Sequence, residues 1–328
     1  MSSEEETTEL ASGGPTRRTV ELLLAAAFLG FAALLVTDAT YQTMTSIDVS
    51  AGAFGPVNQF NNVRSPNGSG STTVVAPGRL GLVNGITVRD EALAVSGPLT
   101  LSQLFGSANS NTFTGPISFT NEVRIGVSAG GTLNLAGPIS GPGGFAKIEA
   151  GTLLLSGALA NTYGGETRVL AGTLELNKVP FDGAIPGNLS IGDGIGGADA
   201  DVVRLLEYNQ IANTATVTIQ SSGLLDLGTF FEGICGLNGS GHLELGTQFL
   251  HAGYNNCPGD FSGVISGSGY FAKQAGTNTY VLSSTNTHTG ATRVSAGTLL
   301  INGYQPQSPV IADASGTLGG SGVIGTLT

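Results

Sequence analysis

Tryptophan is absent from this 328-residue chain, and cysteine and methionine occur only twice each. Two cysteines cannot form the framework of a disulfide-rich miniature domain. The histidines, His242, His251 and His288, are isolated, so no Cys/His cluster has zinc-ligand spacing. Lysine is nearly missing as well: Lys147, Lys178 and Lys273 are the whole set, and the arginines are scattered. Nucleic-acid binding needs a basic patch to neutralise phosphates, and none exists, so a nucleic-acid partner is excluded. Charged residues make up 11% of the chain and hydrophobic residues 40%, which rules out a disordered polyelectrolyte. The net charge of −11 comes partly from Glu4, Glu5, Glu6 and Glu9, ahead of any folding pattern. No stretch beyond the N-terminal segment has the apolar period of a helix.

Glycine is abundant, with 52 residues, and Thr, Ser, Asn, Leu and Val supply most of the rest. These are the residues of strands and turns. From about Arg79 onward, short alternating strands such as Leu99-Thr100-Leu101, Val123-Arg124-Ile125 and Leu133-Asn134-Leu135 are punctuated by Gly, Asn or Pro. Residues 140–177 recur in altered form at 266–302. Both copies run S-G-x-G-x-F-A-K, then an Asn-Thr loop, then T-R-V-x-A-G-T-L. A long internal repeat selects a solenoid over a sandwich or barrel. Within the repeat, Val169 and Ala171 share one strand phase and Leu174 and Leu176 the opposite one. The slip at Gly172-Thr173, repeated at Gly297-Thr298, predicts a corner that keeps both pairs inward. Arg168 and Arg293 then point to solvent. The fold class expected is all-β, a right-handed parallel β-helix preceded by an N-terminal hydrophobic helix. The copies are far enough apart for five or six coils.

Residues 1–39 are expected to be a signal peptide or signal anchor. Arg17 and Arg18 precede an apolar run from Val20 to Val36 broken only by Glu21. Residues 40–78 read as an irregular cap or linker, and residues 79–328 as the β-helix.

The segments Gly151-Thr152-Leu153-Leu154-Leu155-Ser156-Gly157, Asn161-Thr162-Tyr163-Gly164-Gly165 and Ala171-Gly172-Thr173-Leu174 together resemble the passenger-associated repeat of bacterial type V secretion. So do Ser262–Gly269 and the stretch from Leu189 to Leu227. The resemblance covers roughly residues 80–328. It implies an autotransporter passenger, non-enzymatic, displayed at the cell surface or secreted, acting as stalk or adhesive scaffold and aiding its own export. The partners implied are an outer-membrane translocator barrel and host or matrix surface ligands. The chain stops within a repeat at residues 319–328 with no amphipathic barrel strands after it, so the β-helix is expected to be incomplete. An inner-membrane anchored protein is the alternative location.

Four groups of residues invite a chemical reading. Asp193, Asp199 and Asp201, in a Gly-rich stretch, supply oxygen donors for Ca²⁺, but such cages need six or more, so a solvated turn is preferred. Asp199, Asp201 and Arg204 form the best acid and base group for a polysaccharide-degrading or polysaccharide-binding β-helix, the alternative function. A row of carboxylates and aromatics on one outer face would favour that alternative; a Thr/Asn-covered face would favour the scaffold. His288 replaces Tyr163 at the matching repeat position, which suggests a surface loop. Cys235 and Cys257 lie about one coil apart and are expected to bridge adjacent coils.

Overall fold

The computed structural model describes residues 109–179 and 181–328 continuously, and shorter stretches between residues 46 and 106. The expected signal segment and N-terminal helix, residues 1–39, lie outside the described residues. So does most of the expected cap at 40–78, apart from the strands Ser46–Val49, Asn58–Gln59 and Gly70–Val75.

The fold is a parallel β-solenoid of about 11 turns. The coils lay short strands on three faces, and among the described residues the strands pair in parallel between coils. On the second face, Val123, Phe145, Thr167, Leu189, Val217 and Leu237 stand in register in successive coils. On the third face, Leu133, Leu153, Leu174, Val203, Leu225, Leu243 and Ile265 do the same. All of these residues are buried, and all but Thr167 belong to one continuous hydrophobic core. Strand alternation turns every second residue inward, so burying one aliphatic ladder per face contributes roughly 1.5–3 kcal/mol per side chain.

The first face is less regular. It begins as the ladder ending in Ile117–Phe119 and Ile139–Ser140. The next coils replace the strand by hydrogen-bonded segments at Asn161, Ile185 and Ile211. It becomes a strand again at Glu232–Ile234, Phe249–Ala252 and Tyr270–Lys273. The Phe-Ala-Lys segment of the first repeat copy, Phe145–Ile148, is on the second face. Its counterpart, Tyr270–Lys273, is on the first face. The copies are therefore separated by a fractional number of coils, between the five and six expected.

The corner inside the repeat is present in both copies. Val169 and Leu174 both point inward, with Gly172 at φ +71° between them. Val294 and Leu299 match them, with Gly297 at φ +74°. A left-handed backbone there absorbs the phase change without strain. Ala171 is only half-buried, so the turn begins one residue before the expected inward pair ends.

Candidate binding face

The repeat's polar residues serve the interior. Lys147 is fully buried, and its Nζ donates to the carbonyls of Ile148 (3.0 Å) and Ala171 (2.9 Å), and also to Glu149. Lys273, its counterpart, donates to Ala275 and to Ala296 (3.1 Å). Each lysine thus ties the corner of its own coil to the Ala-Gly-Thr corner of the next. Burial pulls the Lys147 ammonium down to about 8. Asn161 accepts from Ile139 N–H and donates to Ala184 (both 2.9 Å), standing in for the missing first-face strand. Asn286 likewise accepts from Ile265 N–H at 2.9 Å.

Tyr163 and His288 correct the surface-loop expectation. Both are buried. The Tyr163 hydroxyl meets Thr167 Oγ1 at 2.5 Å, and His288 Nε2 meets Thr292 Oγ1 at 2.8 Å. The substitution preserves an internal hydrogen bond four residues downstream. Burial lowers the His288 imidazole to about 4, so it is neutral.

The acidic residues singled out as possible ligands or catalysts are dealt to separate partners. Asp193 accepts from Ile195 N–H within its own turn, at 2.8 Å. Asp201 is buried rather than outward, and accepts from Ser222 Oγ at 2.6 Å. Arg204 pairs with Asp226 at 2.8 Å. Asp199 reaches His242, whose Nδ1 lies 3.2 Å from both carboxylate oxygens. Among the described residues no group of three or more His, Cys, Asp or Glu is placed to hold a metal ion.

His242 Nε2 also lies 2.6 Å from Ser266 Oγ, giving the order Asp199, His242, Ser266. This is the connectivity of a hydrolytic triad. Ser266 Oγ also contacts Glu244 Oε2, however, so a second acceptor competes with His242 for its one hydroxyl proton. That competition departs from the single nucleophile–base pairing of a triad. The chain of contacts instead fastens the glycine-rich turn around Asp199 onto the third face, across the intervening coil.

Cys235 and Cys257 are joined in a disulfide with Cα atoms 5.2 Å apart. They occupy matching corners of adjacent coils, next to the paired strands Glu232–Ile234 and Phe249–Ala252.

Among the described residues, the outer surface holds one concentration of aromatic rings. Phe231, Phe249 and Tyr270 occupy the same outward position in three successive coils of the first face. Phe231 and Phe249 stack with centroids 5.0 Å apart, and Phe249 and Tyr270 with centroids 4.9 Å apart. Tyr208 extends the row by 5.0 Å from Phe231 and stands edge-on to Phe230. Phe181 flanks Phe231 and is 67% exposed. His251 lies on Phe249 at 4.3 Å and meets the Tyr270 hydroxyl at 3.1 Å. Beneath the row, the fully buried Glu232 accepts from the N–H groups of Gln210 (2.7 Å), Ile211 (3.1 Å) and Gly233 (2.8 Å). Burial pushes this carboxyl up to about 8. Sequence reading missed the row because its members come from five coils of unequal length; only the coil register brings them together.

The fold defines a class, the parallel β-solenoid assembled from passenger-type repeats. Residues 145–176 and 274–301 match the family model of the passenger-associated-transport-repeat. The chain thus carries two segments similar to the passenger-associated transport repeat of autotransporters. It is 27% identical over 185 residues to the adhesin BmaC autotransporter of Brucella suis biovar 1 (strain 1330). That match takes in 55% of this chain and 4% of the length of that protein. No solved structure matches. Among the described residues no helix is long and apolar enough to cross a membrane.

Proposed function

We propose that this chain is a length of surface-displayed or secreted passenger, right-handed in its winding, that works as a stalk with an adhesive outer face and performs no catalysis. The observation that carries this reading is the repeat itself. Its invariant polar residues, Lys147 and Lys273, Asn161 and Asn286, all make internal coil-to-coil hydrogen bonds. Chemistry invested in joining each coil to the next suits a chain that folds coil by coil as it emerges. Progressive folding outside the cell would then draw the remaining chain outward through an outer-membrane translocator barrel, its proposed partner. Host or matrix surface components are the proposed ligands, and the likeness to an adhesin supports that role.

The test is protease shaving of intact cells that express the natural full-length protein. Release of fragments from residues 109–328 before the outer membrane is permeabilised is the expected result. Protection of the whole segment until permeabilisation would reject surface display. The non-catalytic reading is checked separately, by exposing the folded protein to a fluorophosphonate probe. Ser266 should remain unlabelled, because Glu244 competes with His242 for its hydroxyl proton. Stoichiometric labelling would show an active nucleophile.

A further inference from the structure

We infer that the aromatic row on the first face is a binding site for a neutral glycan chain, laid along the solenoid axis across Phe181, Tyr208, Phe231, Phe249 and Tyr270. This deepens the adhesive reading above and rests on it, since it names the ligand class of that outer face.

Distribution is the first argument. The buried rings, Phe113, Phe119, Phe145, Tyr163, Phe261, Phe271 and Tyr280, belong to the core. Among the described rings outside the core, all but Tyr304 gather around this row. Outward positions on the third face carry no ring: Thr132, Asn134, Thr152, Glu175 and Arg204 alternate with the aliphatic Leu154, Val202 and Leu224. Rings outside the core, half-buried at Phe231, Phe249 and Tyr270 and exposed at Phe181 and Tyr208, mark an interaction surface.

Geometry is the second. Coils repeat at about 4.8 Å, and the row presents one ring per coil at centroid steps of 5.0 and 4.9 Å. A ligand that is itself a linear repeat can follow such a row. The stack loosens at one end, where Tyr208 is tilted by 37° and Phe181 by 42° relative to Phe231 and both rings are exposed. An exposed ring face packs against the C–H face of a pyranose. Planar polar groups line the row as partners for hydroxyls. His251 is beside Tyr270, and Asn209 donates to Asp182 at 2.6 Å beside Tyr208.

Charge selects among polymers. All three lysines are buried, and Arg293, the cation near His251 and Tyr270, is held by Asp313 at 2.7 and 3.0 Å. Residues 109–328 hold 14 Asp and Glu against 7 Lys and Arg, and this acidic balance repels polyanions. A neutral sugar polymer meets both the rings and the hydrogen-bonding groups without that penalty.

The experiment uses the purified chain, so its outcome is independent of where the protein resides in the cell. Cellohexaose, laminarihexaose, mannohexaose and chitohexaose are titrated by calorimetry and by tyrosine emission, which no tryptophan obscures. Sulfated heparin hexasaccharide serves as the anionic control. At least one neutral hexasaccharide should bind and change tyrosine emission. Phe181→Ala and Tyr208→Ala should each weaken it by up to about tenfold, while Tyr208→Phe keeps the affinity. Phe181 is exposed, so its variant retains the fold, checked by an unchanged melting curve. Binding of none of the neutral sugars, preference for the heparin fragment, or indifference to both alanine variants overturns the proposal. Concentration-dependent dimerisation abolished by Phe181→Ser would assign the row to a second copy instead, and also overturns it.

Discussion

Every lysine in the chain is inside the protein, and this single fact separates the residue scale from what composition suggests. Lysine is ordinarily a surface residue; here its ammonium replaces a strand as the link between corners. Native protein should therefore resist acylation by an N-hydroxysuccinimide ester at Lys147, Lys178 and Lys273, and become labelled there only on unfolding, as peptide mass mapping would report. Lys147→Met removes the donor from three carbonyls and should cost roughly 1–3 kcal/mol or more in urea unfolding; no loss would remove the stitching role. Glu232 gives a pH signature. Its carboxyl is raised to about 8 in the native state from an unfolded value near 4.5, so the native state binds more protons between these values. The resulting stability is fully present below about 4.5 and is lost as pH rises through 8. His288 acts in the opposite sense: lowered to about 4, it adds stability as pH rises from 4 through 6.5. Glu232→Gln should flatten the decline in urea midpoint between pH 6.5 and 8, where His288 no longer titrates. An unchanged slope would show that another group is responsible. None of these interior roles was legible in the sequence. His288 read as a surface loop and Asp201 as part of a solvated turn, because burial depends on which neighbouring coil covers them.

At the scale of the coil, more could be read in advance. The slip between Val169 and Leu174 located the corner, since strand alternation cannot change phase without a bend. A Cβ at Gly172 would lie 2.6 Å from Glu149 O and 2.7 Å from Gly151 O, at a φ of +71°. Gly172→Ala should thus cost at least about 1–3 kcal/mol, measured by thermal or urea unfolding; a neutral effect would mean that the corner is not built this way. The spacing of Cys235 and Cys257 likewise pointed to neighbouring coils, where the disulfide is found. Reduction should destabilise the solenoid by roughly 3 kcal/mol on the loop-closure model. It should also open residues 253–258 to proteolysis, compared with the oxidised protein by limited digestion. The fractional offset between repeat copies could not be read. The irregular first face at Asn161, Ile185 and Ile211 and the longer turns around residues 192–200 and 206–215 change coil length without a periodic mark.

Over the whole molecule, a one-dimensional stack explains how a chain with few charges and no helical period folds. Each coil buries its ladders against two neighbours, so stability is distributed along the axis rather than concentrated in a centre. The same stacking turns residues distant in sequence into a continuous surface, which is why the aromatic row exists only in the assembled solenoid. The account therefore stands on the parallel, in-register order of the coils. Outward residues Thr112, Asn134, Leu154, Glu175, Arg204 and Asp226 form one register column on the third face. Spin labels placed at Thr112 together with Glu175, Arg204 or Asp226, three, four and five coils away, measure that order directly by dipolar spectroscopy combined with continuous-wave broadening. With about 4.8 Å per coil, the backbone separations should rise in equal steps through about 14, 19 and 24 Å. Separations that fail to increase from Glu175 to Arg204 to Asp226, or that jump by more than a coil between them, would contradict the solenoid.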